Sequence, residues 1–262
     1  MAVLKVQTAA FTASFRYPRV QVGVLPTFET VPPATLYGYV AGAVGDWFDP
    51  RPFEFAYVFE HQGKALDLET SHPIERGSGK NMLKSKGWNY PINLECKTNI
   101  QSREFLIFPK LTLYLRAASA ALLEPLRDAF VSPHFCHVLG RSQDLAHCGT
   151  PEFVELGASA NAFFNHTILP FSWRQSVLPG RVILLPTQTD YTAHRQTMSD
   201  RYLHVTSPTL HIASDLPGDC LNRKALPETF DVDEQDQKQV RGVTLSRGLH
   251  FFALRGGRHV DF

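Results

Sequence analysis

At 262 residues, with 44% hydrophobic and 19% charged side chains, the chain can bury a sizeable core as one large or two small domains. This balance excludes an intrinsically disordered chain, and a formal net charge of +1 excludes a polycation that binds nucleic acid through bulk charge alone. No run of 18 apolar residues is present, which argues against a membrane-spanning helix. The start MAVLKVQTAAF lacks a secretory pattern, and the scattered Cys96, Cys136, Cys148 and Cys220 read as reduced thiols of a cytoplasmic protein.

Leu4 and Val6 alternate with Lys5 and Gln7, which predicts a strand over 2–10. Arg16 and Arg19 follow, in a long connection marked by Pro26-Thr27 and Pro32-Pro33. A helix is expected over 34–44, with Pro33 at its start, Leu36, Val40 and Ala43 at helical spacing, and Gly45 as its stop. Gly38 and Gly42 lie one turn apart on one face. Two such glycines weaken a helix by about 1 kcal/mol each relative to alanine, so something is expected to approach closely there. Residues 53–59, FEFAYVF, alternate with period two and predict a second strand.

From about 63 to 103 the periodicity fails and Gly, Ser, Lys and Asn dominate. A loop of that length is commonly functional, and it is read as a hairpin arm. Residues 71–103 hold six cations (Arg76, Lys80, Lys84, Lys86, Lys97, Arg103) against Glu75 and Glu95. A strand over 105–116 is expected to be interrupted at Pro109, at an edge or a bulge. A short helix is expected over 124–130 with Pro125 in its first turn, then a strand over 135–139 running into Gly140-Arg141-Ser142. Strand, helix, strand, arm, strand, helix, strand is the α+β ferredoxin-like βαββαβ order, giving a domain over 1–150. Beyond it, short apolar runs at 153–156, 163–169, 182–185, 202–205 and 249–254 predict a smaller β-rich part over 151–262. Residues 215–241, with seven acids, read as an exposed loop.

The candidate binding residues are cations placed among aromatics or beside glycine. Arg16 and Arg19 precede a helix N-terminus, where guanidinium forks and free N–H groups suit phosphate; the alternative is a pair of surface arginines. Lys80, Lys84, Lys86 and Lys97 surround Trp88 and Tyr90, a pattern that neutralises phosphates and stacks on bases, or else a solvated loop pinned by its aromatics. Gly140, Arg141 and Ser142 offer close approach and donors; alternatively Arg141 pairs with Asp144 and Ser142 caps a short helix, as a structural turn. His134, Cys136, His137, His147 and Cys148 do not converge from one strand and lack knuckle spacing, so no metal site is assigned.

The motifs Phe15-Arg16-Tyr17-Pro18, Pro26-Thr27 and Pro32-Pro33-Ala34-Thr35-Leu36-Tyr37-Gly38 stand in a fixed order with Val138-Leu139-Gly140-Arg141-Ser142-Gln143-Asp144-Leu145. Together, with a basic insertion between them, they resemble the fifth CRISPR-associated (Cas) protein family, nearest its I-B-like branch. The members are RNA-binding subunits of type I Cascade complexes, and the resemblance covers about the first 150 residues well. It implies an RNA-recognition-motif-like fold with a projecting thumb and a non-catalytic, cofactor-free subunit that caps the 5′ handle of the crRNA. The implied partners are the backbone subunit of the seventh Cas family and the large subunit of the eighth. Target DNA is then read by guide pairing within the complex.

Two alternatives stay open. One is a metal-independent endoribonuclease that processes precursor crRNA. Tyr17, Tyr37, His72 and Lys80 are present for it, but no Lys-His neighbours, and the C-terminal glycine loop is reduced to Arg255-Gly256-Gly257-Arg258. The other is a protein–protein adaptor without RNA contact.

Overall fold

The computed structural model describes the chain except residues 19, 21, 22, 73, 77–81, 86, 87, 92, 96, 97, 191–195, 207, 208, 214–218, 224, 225, 241 and 256–262; for 71, 74–76, 82–85, 88–91 and 93–95 it gives backbone alone. The chain opens with β1 (Ala2–Ala10), then the two-residue strands β2 (Thr12–Ala13) and β3 (Val24–Leu25) and helix α1 (Pro33–Val44). β4 (Glu54–Glu60) leads into the arm: β5 (Gly63–Ser71), β6 (Ile74–Arg76), β7 (Met82–Ser85), β8 (Trp88–Pro91), β9 (Asn93–Glu95) and β10 (Asn99–Ile107). β11 (Lys110–Ala117), α2 (Ala120–Val131), β12 (Ala146–Cys148) and β13 (Glu152–Val154) follow.

An antiparallel sheet runs β12–β1–β11–β4, with β13 also on β1. The even residues of β1, Leu4 and Val6, share a core with Leu36 and Val40 of α1, Leu123, Leu126 and Phe130 of α2, and Phe55, Tyr57 and Phe59 of β4. Both helices therefore cover one face. The odd residue Val3 packs with Ala56, Val58, Tyr114, Leu249 and Phe251, so the second half of the chain covers the other face. Burial on both sides explains why Val3, Leu4, Lys5 and Val6 are all buried although the sequence alternates.

The arm is one long antiparallel hairpin. β5 pairs with β10 from Gly63–Ile107 to Ser71–Asn99, and the pairs β6–β9 and β7–β8 follow. β2 and β3 flank the other edge of β10.

Four local expectations are corrected. Pro109 is neither an edge nor a bulge: β10 and β11 belong to different sheets, and Phe108 (φ 48°) and Pro109 make the corner between them. α2 starts at Ala120, more than a turn earlier than expected, because Ala120-Ala121-Leu122 are good helix formers and Pro125 is tolerated inside. Residues 135–139 form no strand; Val138 makes a single bridge to Leu145, and the sheet strand is the following Ala146–Cys148. The acidic segment is not an exposed loop throughout, since 230–240 is a strand.

The second half contains β14 (Gly157–Ser159), β15 (Ala162–Phe164), β16 (Thr167–Pro170), β17 (Arg181–Asp190), β18 (Gln196–Val205), β19 (Leu210–Ile212), β20 (Phe230–Val240), β21 (Val243–Leu249) and β22 (Phe252–Ala253). β14–β20–β21–β15–β19 form one sheet and β16–β18–β17 another. Acids of β20 are matched by cations: Asp233 by Lys5 (2.7 Å) and the Tyr114 hydroxyl (2.7 Å), Asp231 by Arg116 (2.7 Å) and Asp236 by Arg247. β22 returns to the first sheet and pairs with β4, while Ile168, Leu185 and Tyr202 enter the first core.

Candidate nucleic-acid interface

Pro32 is extended (φ −64°, ψ 140°) and Pro33 occupies the first helical turn of α1, where its missing N–H costs nothing. Gly45 ends the helix in the left-handed region (φ 88°) and donates its N–H to the Ala41 carbonyl oxygen (2.8 Å). Between them, a Cβ added at Gly38 or Gly42 would meet nothing within 4 Å. The chain approaches Gly42 through its backbone, where the Phe135 N–H donates to the Gly42 carbonyl oxygen (3.2 Å), but nothing fills the space a side chain would take at either glycine. Their face lines an open cleft of about 520 Å³, walled by Phe135 and Gly140 on one side and by Pro186 on another, with Arg16 at its rim.

Arg16 is exposed and has no ion-pair partner among the described residues. Phe135 is 58% exposed, so an aromatic face is available beside the glycines. His137 also lines the cleft. Its ring stacks on Phe130 (5.7 Å), and burial holds its pKa below the ordinary histidine value, which keeps it neutral at neutral pH. An uncharged floor, one free guanidinium and an exposed ring suit an unstacked base with its phosphate at Arg16.

Gly140 lines this cleft, but its glycine has a packing reason. It sits at φ 106°, and a Cβ there would collide with the Ser14 carbonyl oxygen. Arg141 turns the other way. Its Nε and Nη2 donate to the Asp144 carboxylate (3.0 Å each), and its Nη1 reaches Glu69 (3.3 Å) and Asp67 (3.5 Å) at the base of the arm. The hydrogen bond to Asp144 raises the Arg141 pKa further, and the guanidinium lies 5.7 Å from the Phe105 ring centroid. The Arg141–Asp144 pair weighed as the structural alternative is thus present, with two extra carboxylates from the arm, while a turn and a strand, not a helix, follow Ser142. Ser142 is exposed in the turn.

On the arm, the register sets Trp88 opposite Ser85 and Lys84 opposite Asn89, next to the tip of the hairpin. Arg19, Lys80, Lys86 and Lys97 lie outside the described residues. The candidates thus divide into two places: Arg16 with Gly140 at the α1 cleft, and Lys84 with Trp88 on the distal arm. Sequence reasoning missed Phe135 and the β17–β18 wall of the cleft, which come from distant segments without a local motif.

Tyr37 is 2% exposed and its hydroxyl donates to the Phe48 carbonyl oxygen (2.9 Å), so it faces into the core. Among the described residues no group of three or more His, Cys, Asp or Glu is arranged to hold a metal ion.

No protein-family model matches the sequence, and no curated protein matches it. Solved structures do. A chain of a CRISPR RNA-guided surveillance complex matches at 15% identity and TM-score 0.51, covering 85% of this chain and 97% of its own. A CRISPR protein from Archaeoglobus fulgidus matches at 11% identity and TM-score 0.39, over 83% of this chain and 90% of its own. A chain of the type III-B Cmr-beta complex matches at 9% identity and TM-score 0.47, over 79% and 86%. The latter two scores are too low to carry weight. The first shows that this chain shares the fold of a chain from a CRISPR RNA-guided surveillance complex.

Proposed function

We propose that the chain is a CRISPR-associated protein, a non-catalytic RNA-binding subunit of a crRNA-guided surveillance complex that holds the 5′ handle of the guide. The observation that carries this reading is the long hairpin, basic in sequence, inserted between β4 and β11 of the six-stranded first sheet. The order β12–β1–β11–β4, with a helix after β1 and after β11, supports a ferredoxin-like arrangement with a thumb. Because the face opposite the helices is covered by β20 and β21, bases do not stack on the sheet as they do on an open RNA-recognition motif. The arm and the α1 cleft are left to grip RNA. The backbone subunit of the seventh Cas family and the large subunit of the eighth are the partners this reading carries, with target DNA met through guide pairing.

Replacing Lys80, Lys84 and Lys86 together by alanine should weaken binding of repeat RNA. It should also flatten the log–log salt dependence by roughly 2 units, since each phosphate contact to a single strand contributes about 0.7. An unchanged slope would remove the arm from the interface.

A further inference from the structure

We propose that the face of the β16–β18–β17 sheet turned away from the first core docks an acidic, apolar segment of a protein partner. Its anchors are Phe171, Arg174, Val182, Leu184 and Arg201. None of them belongs to the α1 cleft or the arm, so the proposal does not rest on the RNA reading.

The strand register builds this surface. β16 runs antiparallel to β18 from Thr167–Val205 to Pro170–Tyr202, and the chain then enters a short 3-10 helix, Phe171–Gln175, which brings Phe171 beside Arg201. Across β18, Arg201 stands opposite Leu184 of β17, and Val182 lies two residues along on the same face. Tyr202 and Leu185, of opposite parity, enter the first core, so Arg201 and Leu184 are on the outer face. Part of that face is closed, since Leu169 and Leu203 join Trp173 in the second core. The rest is open: Val182 is 54% and Leu184 58% exposed, and Arg174 and Arg201 are exposed as well.

Two cations are held here without a counter-ion. The Arg174 guanidinium lies over the Phe171 ring at 4.1 Å, and its Nη1 donates to the Phe171 carbonyl oxygen (3.4 Å). The Arg201 guanidinium lies over the same ring at 5.6 Å. No carboxylate among the described residues pairs with either of them. The adjacent Asp200 is on the other face of the strand, where Arg255 takes it (2.9 Å). Two guanidinium groups gathered on one ring repel each other, and an anion within reach of both relieves that repulsion. Carboxylate matches the arginine fork.

The surroundings favour a carboxylate on a polypeptide over phosphate on RNA. Both cations are arginine, no lysine is among the anchors, and the adjoining surface is aliphatic, which is the make-up of a protein–protein interface. Single-stranded RNA is gripped by open rings, whereas the Phe171 ring already carries guanidinium. Val182 and Leu184 gain only when apolar side chains cover them. A segment that sets a carboxylate at the arginines and an apolar residue on the aliphatic pair satisfies both parts of the surface together.

The test is selection of a displayed library of random nine-residue peptides against the full-length chain, followed by titration of the enriched peptides. Peptides that combine Asp or Glu with apolar residues should be enriched. Arg174→Glu and Arg201→Glu should each weaken their binding about tenfold or more, and Leu184→Ser should give a smaller loss. Arg127→Glu, on the surface of α2 where Asp128 already pairs with the arginine (2.8 Å), should leave binding unchanged. Exchanging the peptide's acid for lysine should abolish binding to the unaltered chain and restore it on Arg201→Glu, a gain that no misfolded variant gives. Failure to enrich acidic, apolar peptides, or binding indifferent to both arginines, would overturn the proposal. So would a loss of oligouridine binding in Arg201→Glu, which would mean that the surface takes RNA. Peptide binding seen only after removal of residues 256–262 would overturn it too, since the chain would then cover the surface itself. The salt slope of the arm-lysine variant is read in a separate assay, so either idea can fail alone.

Discussion

Arg141 shows how one side chain takes its role from distant residues. Its side chain is 11% exposed, and the carboxylate of Asp144 opposite it is fully buried and also accepts a hydrogen bond from Thr12 (2.5 Å). Removing the guanidinium strands that carboxylate. Arg141→Ala should therefore lower stability by about 3 kcal/mol, visible as a fall in Tm, because breaking a buried pair leaves an uncompensated charge. Arg141→Lys should restore only part of it, since lysine lacks the fork. If the arrangement is purely structural, handle-RNA affinity stays nearly intact in both variants; a tenfold loss of affinity at unchanged Tm would return Arg141 to the binding surface. Asp144 was legible as a partner three residues away. Asp67 and Glu69, more than 70 positions upstream, were not, because nothing local marks them.

At the scale of the element, α1 gives the sharpest test. Nothing fills the space above Gly38 and Gly42, so alanine at either position adds helix propensity without a clash. Gly38→Ala and Gly42→Ala should each stabilise the protein by about 0.5–1 kcal/mol in denaturant titration. If RNA enters the cleft, the same variants lose RNA affinity, so stability and binding move in opposite directions. Loss of stability would mean that the helix face is not open.

α1, β1 and β4 were legible because period and punctuation within each segment settle them. The α2 start, the Pro109 corner and the β12 strand were not. For the corner and the strand a partner decides, a second sheet and the edge of β1; the α2 start was missed although Ala120 and Ala121 are local helix formers, because they lie beyond the apolar stripe. Likewise the acids of β20 look solvated in sequence and are strand residues because Lys5, Arg116 and Arg247 meet them.

For the whole molecule, the two halves share cores and ion pairs, and acid is expected to loosen both. Burial pushes His204 and His250 down to about 4, with the positive charge of Arg181 adding to the effect at His204 and Arg116 at His250. Glu29 opposes it at His204, and His166 and His61 add to it; Asp231 and Glu54 oppose it at His250. Both folded-state values lie below the usual 6.5, so the unfolded chain binds the protons first. The contribution is intact above about pH 6.5 and is lost as pH falls toward 4, on the order of 1 kcal/mol per histidine per pH unit. Urea midpoints at pH 7 and pH 5 check this, and His204→Gln should reduce the difference.

β22 pairs with β4 through Phe252–Phe55, and the Leu254 N–H donates to the Phe53 carbonyl oxygen (3.0 Å). During synthesis, then, the Glu54–Phe55 end of β4 is made nearly 200 residues before the strand that pairs with it leaves the ribosome. Through that interval the nascent chain carries an open, sticky strand, a natural client for a chaperone.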